Sequence, residues 1–199
     1  MRKILFIICW ALAGVGLYSC SLDEPSYGKT TSDNYYQKES DIEQALTGAY
    51  LQLRTTWNEY ALNHYFVGDC STDDALKGGG NDGDRAEVRD LSDFTIYTTN
   101  GEVGRRWEIL YRLINRCNDV IYYAPDAIGN EELLKRYANE AKALRAFGYY
   151  CLVTTFGEVP LITTPMQPAE ILQIPRSPLE KVYELSLIHI SEPTRQAEI

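Results

Sequence analysis

The side chains best suited to chemistry in this chain are five closely spaced aspartates: Asp69, Asp73, Asp74, Asp82 and Asp84. A glycosidase needs two carboxylates that face each other across a cleft, one of them as the proton donor. These aspartates lie within and beside a glycine-rich run, and such acidic glycine loops are typical of solvated turns. We therefore predict that the protein is not an enzyme.

Other reaction centres lack necessary parts. Asp82, Asp84 and Asp93 have the first, third and last spacings of a calcium loop, but Glu87 stands where that loop requires glycine. His64 is the single histidine before residue 185, which is too few for a zinc triad or a histidine-based nucleophile. The glycine run also lacks the following Lys-Ser/Thr of a phosphate-binding loop. We expect no metal and no cofactor.

Composition restricts the class of partner. The chain has 199 residues, 28 acidic and 19 basic, and its formal net charge of −9 argues against binding to nucleic-acid phosphates. It contains 15 tyrosines against 5 phenylalanines and 3 tryptophans. Tyrosine has an apolar face and a polar end, which suits surfaces that bind a ligand while remaining hydrated.

The N-terminus is typical of an exported protein. Arg2 and Lys3 precede an apolar run over residues 4–17, which is too short to span a bilayer comfortably. The following Leu17-Tyr18-Ser19-Cys20 resembles a bacterial lipoprotein box, so we predict a signal peptide over residues 1–19 and lipidation of Cys20. Fatty-acyl chains such as palmitate would then hold the protein on a membrane.

Helical periodicity dominates the central part of the chain. Residues 20–39 are polar and predict a tether and entry loop, and Ser40-Asp41-Ile42-Glu43 has the sequence of a capping box. The apolar stripe that follows predicts a helix to Leu53. The period fails from Gly68 to Gly104, where residues 94–99 predict a short strand or an extended arm.

Two long helices and the start of another follow. The first has an apolar stripe from Trp107 to Ile121, in which we expect Trp107 to be a core residue. The second begins after the N-cap Asn130 and ends at Gly157. Its predicted core stripe is Leu133, Tyr137, Ala141, Leu144, Phe147 and Cys151. We expect Cys117 and Cys151 to be buried thiols. A further helix is predicted to begin at Ser177-Pro178-Leu179-Glu180.

Residues 185–199 differ from the rest. From Ser186 to Arg195 the chain reads as the translation of a transposon-end sequencing adapter. We therefore treat residues 185–199 as an adapter-derived tail and residues 40–184 as an incomplete helical domain. Paired helices joined by short turns predict a mainly all-α fold with tetratricopeptide-like helical repeats and long irregular loop excursions.

Four segments resemble the N-terminal part of the SusD/RagB family of outer-membrane lipoproteins. They are Leu17-Tyr18-Ser19-Cys20, Asp33-Asn34-Tyr35-Tyr36, the run from Trp107 to Asn118, and Glu140 to Phe147 continuing into Phe156-Gly157-Glu158-Val159-Pro160-Leu161. A departure from the family pattern is Gly148, which stands where the family usually has an aromatic residue. The acidic residues after Cys20 also resemble the surface-export signal of Bacteroidetes lipoproteins.

The resemblance implies a surface-exposed lipoprotein that captures oligosaccharides or polysaccharides for uptake through a TonB-dependent, SusC-like barrel in the outer membrane. Under this hypothesis the candidate ligand-binding residues are Trp57, Tyr60, Tyr97 and Asn100, which flank the irregular region and fit no helical stripe. We expect Arg145 to hold neighbouring helices by hydrogen bonds instead of binding sugar. The alternative is a helical-repeat lipoprotein that binds a protein or peptide partner.

Overall fold

The structure, a computed structural model, describes residues 35–53, 67–81 and 83–185. These residues are mainly helical, which confirms the all-α prediction; their β-structure consists of two isolated bridges. The helices are α1 (Glu39–Tyr50), α2 (Ala86–Ser92), α3 (Gly101–Tyr123), α4 (Glu131–Phe156) and α5 (Pro168–Ile171), and residues 179–185 are also helical. Short 3₁₀ turns occupy Leu51–Leu53, Asp69–Ser71 and Ala124–Asp126.

The start of α1 differs slightly from the prediction. Its N-cap is Lys38, and the Lys38 amide donates a hydrogen bond to Asp41 Oδ2 at 3.0 Å. Ser40 therefore lies inside the first turn, and the predicted capping residue was wrong by two positions. The physical reason is that Asp41, at the third helical position, accepts the hydrogen bond that the prediction assigned to Glu43.

The two long helices α3 and α4 form the centre of the fold and run antiparallel. Arg106, early in α3, contacts Thr155 near the end of α4, and Asn118, late in α3, contacts Arg145 in the middle of α4. The predicted cap at Asn130 is confirmed, because its side-chain oxygen accepts hydrogen bonds from two amides of the first turn of α4. Gly157, with a φ of 72°, ends α4 as predicted.

Two hydrophobic clusters line this helix pair. The first lies where α1 packs against α3 and α4, and its buried members are Ile42, Leu46, Ala49, Leu113, Cys117, Val120, Ala124, Leu134, Ala141 and Leu144. The second surrounds the opposite half of the pair: Ile109, Leu110, Ile114, Tyr149, Cys151, Leu152, Val153, Val159 and Val182. Trp107, predicted as a core residue, is half-buried against this second cluster. Cys117 and Cys151 are buried, as predicted.

The buried face of α4 agrees with the predicted stripe in part: Ala141, Leu144 and Cys151 are buried as predicted, and the other three residues of the stripe are not. Phe147 is 37% exposed and Leu133 is half-buried, whereas Leu134 and Tyr149 are buried. The cause is a close approach at Gly148, where an added Cβ would lie 3.1 Å from Ile114 Cγ1. Because Gly148 faces α3, its neighbour Phe147 points away from the core.

An extended segment follows Gly157 and returns along the helix pair. The Tyr149 hydroxyl donates to the Ile162 carbonyl at 2.9 Å and accepts from the Ile162 amide at 2.6 Å. Arg145 Nη1 donates to Asn118 Oδ1 at 2.8 Å and to the Thr163 carbonyl at 2.9 Å. The prediction that Arg145 links neighbouring elements by hydrogen bonds is confirmed.

The region predicted to be irregular contains a helix. Within residues 68–104, α2 packs Val88 and Leu91 around Cys70 in a small third cluster, and α3 already begins at Gly101. Residues 94–99 form turns and a coil instead of a strand. Within the described residues, no helix combines the length and the apolar character that crossing a membrane requires.

Candidate functional site

The loop between α2 and α3 is anchored by Asn100. Its Oδ1 accepts hydrogen bonds from the amides of Glu102 and Val103 at 3.0 and 3.2 Å, which caps α3. Its Nδ2 donates to the Glu87 carbonyl of α2 at 2.9 Å. Asn100 is only 5% exposed, so its visible role is to fix the end of the loop, and ligand contact at Asn100 stays a prediction.

The junction between α2 and α3 is tightly packed. A Cβ at Gly101 would lie 2.6 Å from Glu87 Oε1, so a larger residue there would require the exposed Glu87 side chain to move. Glu102 is buried, and its carboxylate lies 3.5 Å from Arg85 Nη1 and 3.9 Å from Arg105 Nε. These contacts hold α2 against the start of α3 and thereby position the loop between them.

This loop exposes three large apolar side chains. Phe94 is 69% exposed, Ile96 49% and Tyr97 64%. We name these three residues the loop platform. Several large apolar side chains exposed on one short loop mark a binding surface more often than a single exposed leucine does.

A cleft of about 510 Å³ adjoins the platform. Ile96 contributes to its lining, together with Leu91, Val103, Arg106, Thr155 and Phe156. Arg106 is 5% exposed, and its Nε donates to Thr155 Oγ1 at 2.9 Å. Burial lowers the pKa of Arg106, but a guanidinium remains charged at all ordinary pH values. The cleft therefore combines apolar walls with a buried guanidinium that is held in place by Thr155.

The structure places two of the four candidate ligand-binding residues on this loop. Tyr97 belongs to the platform and Asn100 forms its anchored end. Trp57 and Tyr60 lie outside the described residues, as do the predicted signal peptide and Cys20.

The carboxylates singled out by their spacing do not form a described metal site. Within residues 35–53, 67–81 and 83–185, no group of three or more His, Cys, Asp or Glu side chains could hold a metal ion. Asp82 and His64 are outside these ranges.

The sequence did not reveal Phe94, Ile96, Arg106 and Thr155 as parts of the site. Residues 94–99 predicted a short strand or an extended arm, but the exposure of their side chains depends on how α2 packs. Arg106 and Thr155 are far apart in the chain and meet only because α3 and α4 are antiparallel.

A family model described as "SusD-like_3: Starch-binding associating with outer membrane" matches residues 21–189. The chain therefore belongs to the SusD-like family, as the resemblance implied. The chain is similar to SusD-like protein P2 of Formosa agariphila, with 29% identity over 187 residues that cover 92% of this chain and 35% of that protein.

Solved structures give the same result. A laminarin binding SusD-like protein superposes with a TM-score of 0.68 and 29% identity, covering 79% of this chain and 34% of its own. Surface glycan-binding protein A from Bacteroides fluxus has a TM-score of 0.61 and 26% identity, covering 77% of this chain and 32% of its own. The chain thus spans about a third of the length of these relatives.

Proposed function

We propose that this chain is part of a non-enzymatic, surface-exposed lipoprotein that captures oligosaccharides for uptake through a TonB-dependent outer-membrane receptor. Lipidation at Cys20 would attach it to the outer membrane. The family to which the chain belongs supports this role, as does its similarity to a laminarin binding SusD-like protein and to a surface glycan-binding protein.

The observation that carries the proposal is the loop platform beside the cleft. A pyranose ring has apolar C–H faces, which pack on aromatic and aliphatic side chains, and hydroxyl groups at its edge, which need hydrogen-bond partners. Tyr97 supplies an exposed ring with a polar end, and Ile96 joins the platform to the cleft. Binding of this kind requires no nucleophile and no acid–base pair.

The sugar-binding proposal is tested with the chain and a panel of polysaccharides that includes laminarin and starch. Retention during native affinity electrophoresis identifies a ligand, and isothermal titration calorimetry then gives Kd. We expect Tyr97→Ala to weaken binding about tenfold, equivalent to the loss of one well-packed aromatic contact.

Tyr122→Ala is the matched control. Tyr122 is 56% exposed, close to the 64% of Tyr97, but it lies at the opposite end of α3 from the loop. Its substitution should leave Kd unchanged. If both variants lost the same affinity, the loop would not be the binding site. If the chain bound no polysaccharide of the panel, a protein or peptide ligand would be favoured.

The membrane and receptor parts of the proposal need separate experiments. Cys20→Ala should abolish labelling by radioactive palmitate in a bacterial host and release the protein from the outer-membrane fraction. Co-purification of a barrel protein with the tagged, lipidated chain would support the receptor partner. Palmitate labelling that survives Cys20→Ala would contradict the assignment of the anchor.

A further inference from the structure

Helix α2 has a left-handed backbone residue at each end. Among the described residues, the two non-glycine residues with positive φ are Arg85, at 46°, and Phe94, at 56°. Arg85 is the N-cap of α2, and Phe94 follows its C-cap, Asp93. A positive φ is disfavoured for residues with a Cβ, and for a bulky residue such as phenylalanine it is a genuine outlier.

Phe94 occupies the position at which helices normally place glycine. The Thr95 amide donates to the Asp90 carbonyl at 2.9 Å, and the Phe94 amide donates to the Leu91 carbonyl at 3.3 Å. This pair of hydrogen bonds defines a Schellman motif with Phe94 at its left-handed position. Glycine is preferred there because it has no Cβ to clash with the backbone.

The apolar contact that usually accompanies this motif does not offset the conformation. A Schellman motif often includes an apolar contact between the residues here occupied by Asp90 and Thr95, and both are polar. Phe94 itself is 69% exposed, so burial of its ring does not favour phenylalanine over glycine. The chain therefore keeps a large, mostly exposed apolar side chain at a position where the backbone favours glycine.

We infer that Phe94 is a ligand-contacting residue whose ring is held out by a strained turn to pack against the apolar face of a sugar ring. Phe94 lies on the same loop as Ile96 and Tyr97, which are also exposed. Backbone strain of this kind clusters at binding sites, where it orients a side chain before the ligand arrives. This inference rests on the proposed glycan-binding function.

The test compares three substitutions at Phe94 in the chain, using laminarin, starch and the rest of the panel. Phe94→Gly relieves the strain and removes the ring, so Tm should rise by about 2–4 °C while binding weakens about tenfold. Phe94→Ala removes the ring but keeps the Cβ, so binding should weaken equally without the rise in Tm. Phe94→Trp retains a ring and should retain binding.

Leu172→Ala is the control for loss of exposed apolar surface elsewhere, since Leu172 is 83% exposed beside α5. It should leave Kd unchanged. A fall in Tm for Phe94→Gly would overturn the inference, because the ring would then be supporting the fold. Unchanged binding by Phe94→Gly would also overturn it, and if Tyr97→Ala still weakens binding, the proposed function stands. A wild-type chain that binds no polysaccharide would contradict both.

Discussion

The Arg145 guanidinium donates a hydrogen bond of 2.8 Å to the side-chain oxygen of Asn118, and the Asn118 amide donates one of 2.8 Å to the Ile162 carbonyl. Both side chains are buried, at 5% and 0% exposure. Together they connect α3, α4 and the extended segment after Gly157, three parts of the chain that share no local sequence signal.

Substitution of Arg145 should therefore destabilise the fold strongly. Arg145→Met leaves Asn118 Oδ1 and the Thr163 carbonyl without this donor, at a cost of about 2–4 kcal/mol. The free energy of unfolding, measured by urea denaturation, checks this value. Arg136→Met is the control: Arg136 is 70% exposed and pairs with Glu140 on one helix surface, so its loss should cost less than about 0.5 kcal/mol. Similar costs for both variants would argue against the network.

Two glycines with empty surroundings should respond in opposite directions to alanine. A Cβ at Gly157 or at Gly104 would meet no atom within 4 Å. Gly157 has a φ of 72°, so Gly157→Ala should destabilise the protein by about 1 kcal/mol through backbone strain. Gly104 lies within α3, where alanine is the better helix former, so Gly104→Ala should stabilise it by about 0.5–1 kcal/mol. The Tm of both variants, measured by thermal unfolding, tests this prediction. A change in Tm of the same sign for both would contradict the different backbone roles of the two glycines.

The two asparagine caps should contribute different amounts to the stability of the fold. Asn100 and Asn130 each accept hydrogen bonds from two amides, but Asn100 also donates to the Glu87 carbonyl. Asn130→Ala should cost about 1 kcal/mol and Asn100→Ala about 2 kcal/mol. Asn130→Asp should be tolerated, because it keeps the acceptor and adds a charge that the helix N-terminus favours.

At the other cap, Asn100→Asp loses the donor to α2 and should remain destabilising. These four variants are compared by their urea midpoints. If Asn100→Asp were as stable as Asn130→Asp, the hydrogen bond to Glu87 would contribute nothing to stability.

Stability should fall in alkaline solution partly because of Cys117. Burial raises the pKa of this thiol from 9.0 to about 12. In the unfolded chain the thiol ionises near its ordinary pKa, so above pH 9 the unfolded state loses a proton that the folded state retains. The contribution of the protonated Cys117 thiol to the free energy of unfolding is therefore complete below pH 9. It falls by about 1 kcal/mol per pH unit up to about pH 12.

Cys117→Ala should reduce the slope of unfolding free energy against pH between 9 and 10. A second measurement is the reaction of the folded chain with a thiol reagent, in which Cys117 should react only on unfolding. Rapid modification of Cys117 in the native protein at pH 8 would contradict its burial.

Local signals in the sequence were sufficient for several helix ends. Asn130 with two acidic residues after it predicts the start of α4, and Gly157 followed by Pro160 predicts its end, because both depend on hydrogen bonds within a few residues. The sequence was insufficient for the start of α3. Gly101 and Gly104 disfavour a helix, and α3 begins there because Asn100 is held by both α2 and α3.

In the candidate site, too, some residues could be predicted from local sequence and others only from tertiary contacts. Tyr97 could be selected because it lies in a region without helical periodicity, whereas the cleft depends on the meeting of Arg106 and Thr155 from opposite helices. The strained turn at Phe94 could not be predicted either. Glycine is the usual sequence signal for a left-handed residue, and this turn contains none.

By itself, then, the sequence determined the helical class, the family resemblance and the helix ends governed by nearby residues. The tertiary structure decided which face of α4 is buried, where the extended segment lies and which side chains remain exposed on the loop. The physical reason is range: capping acts over three or four residues, whereas packing at Gly148 and the bonds from Arg145 join positions that only the folded chain brings together.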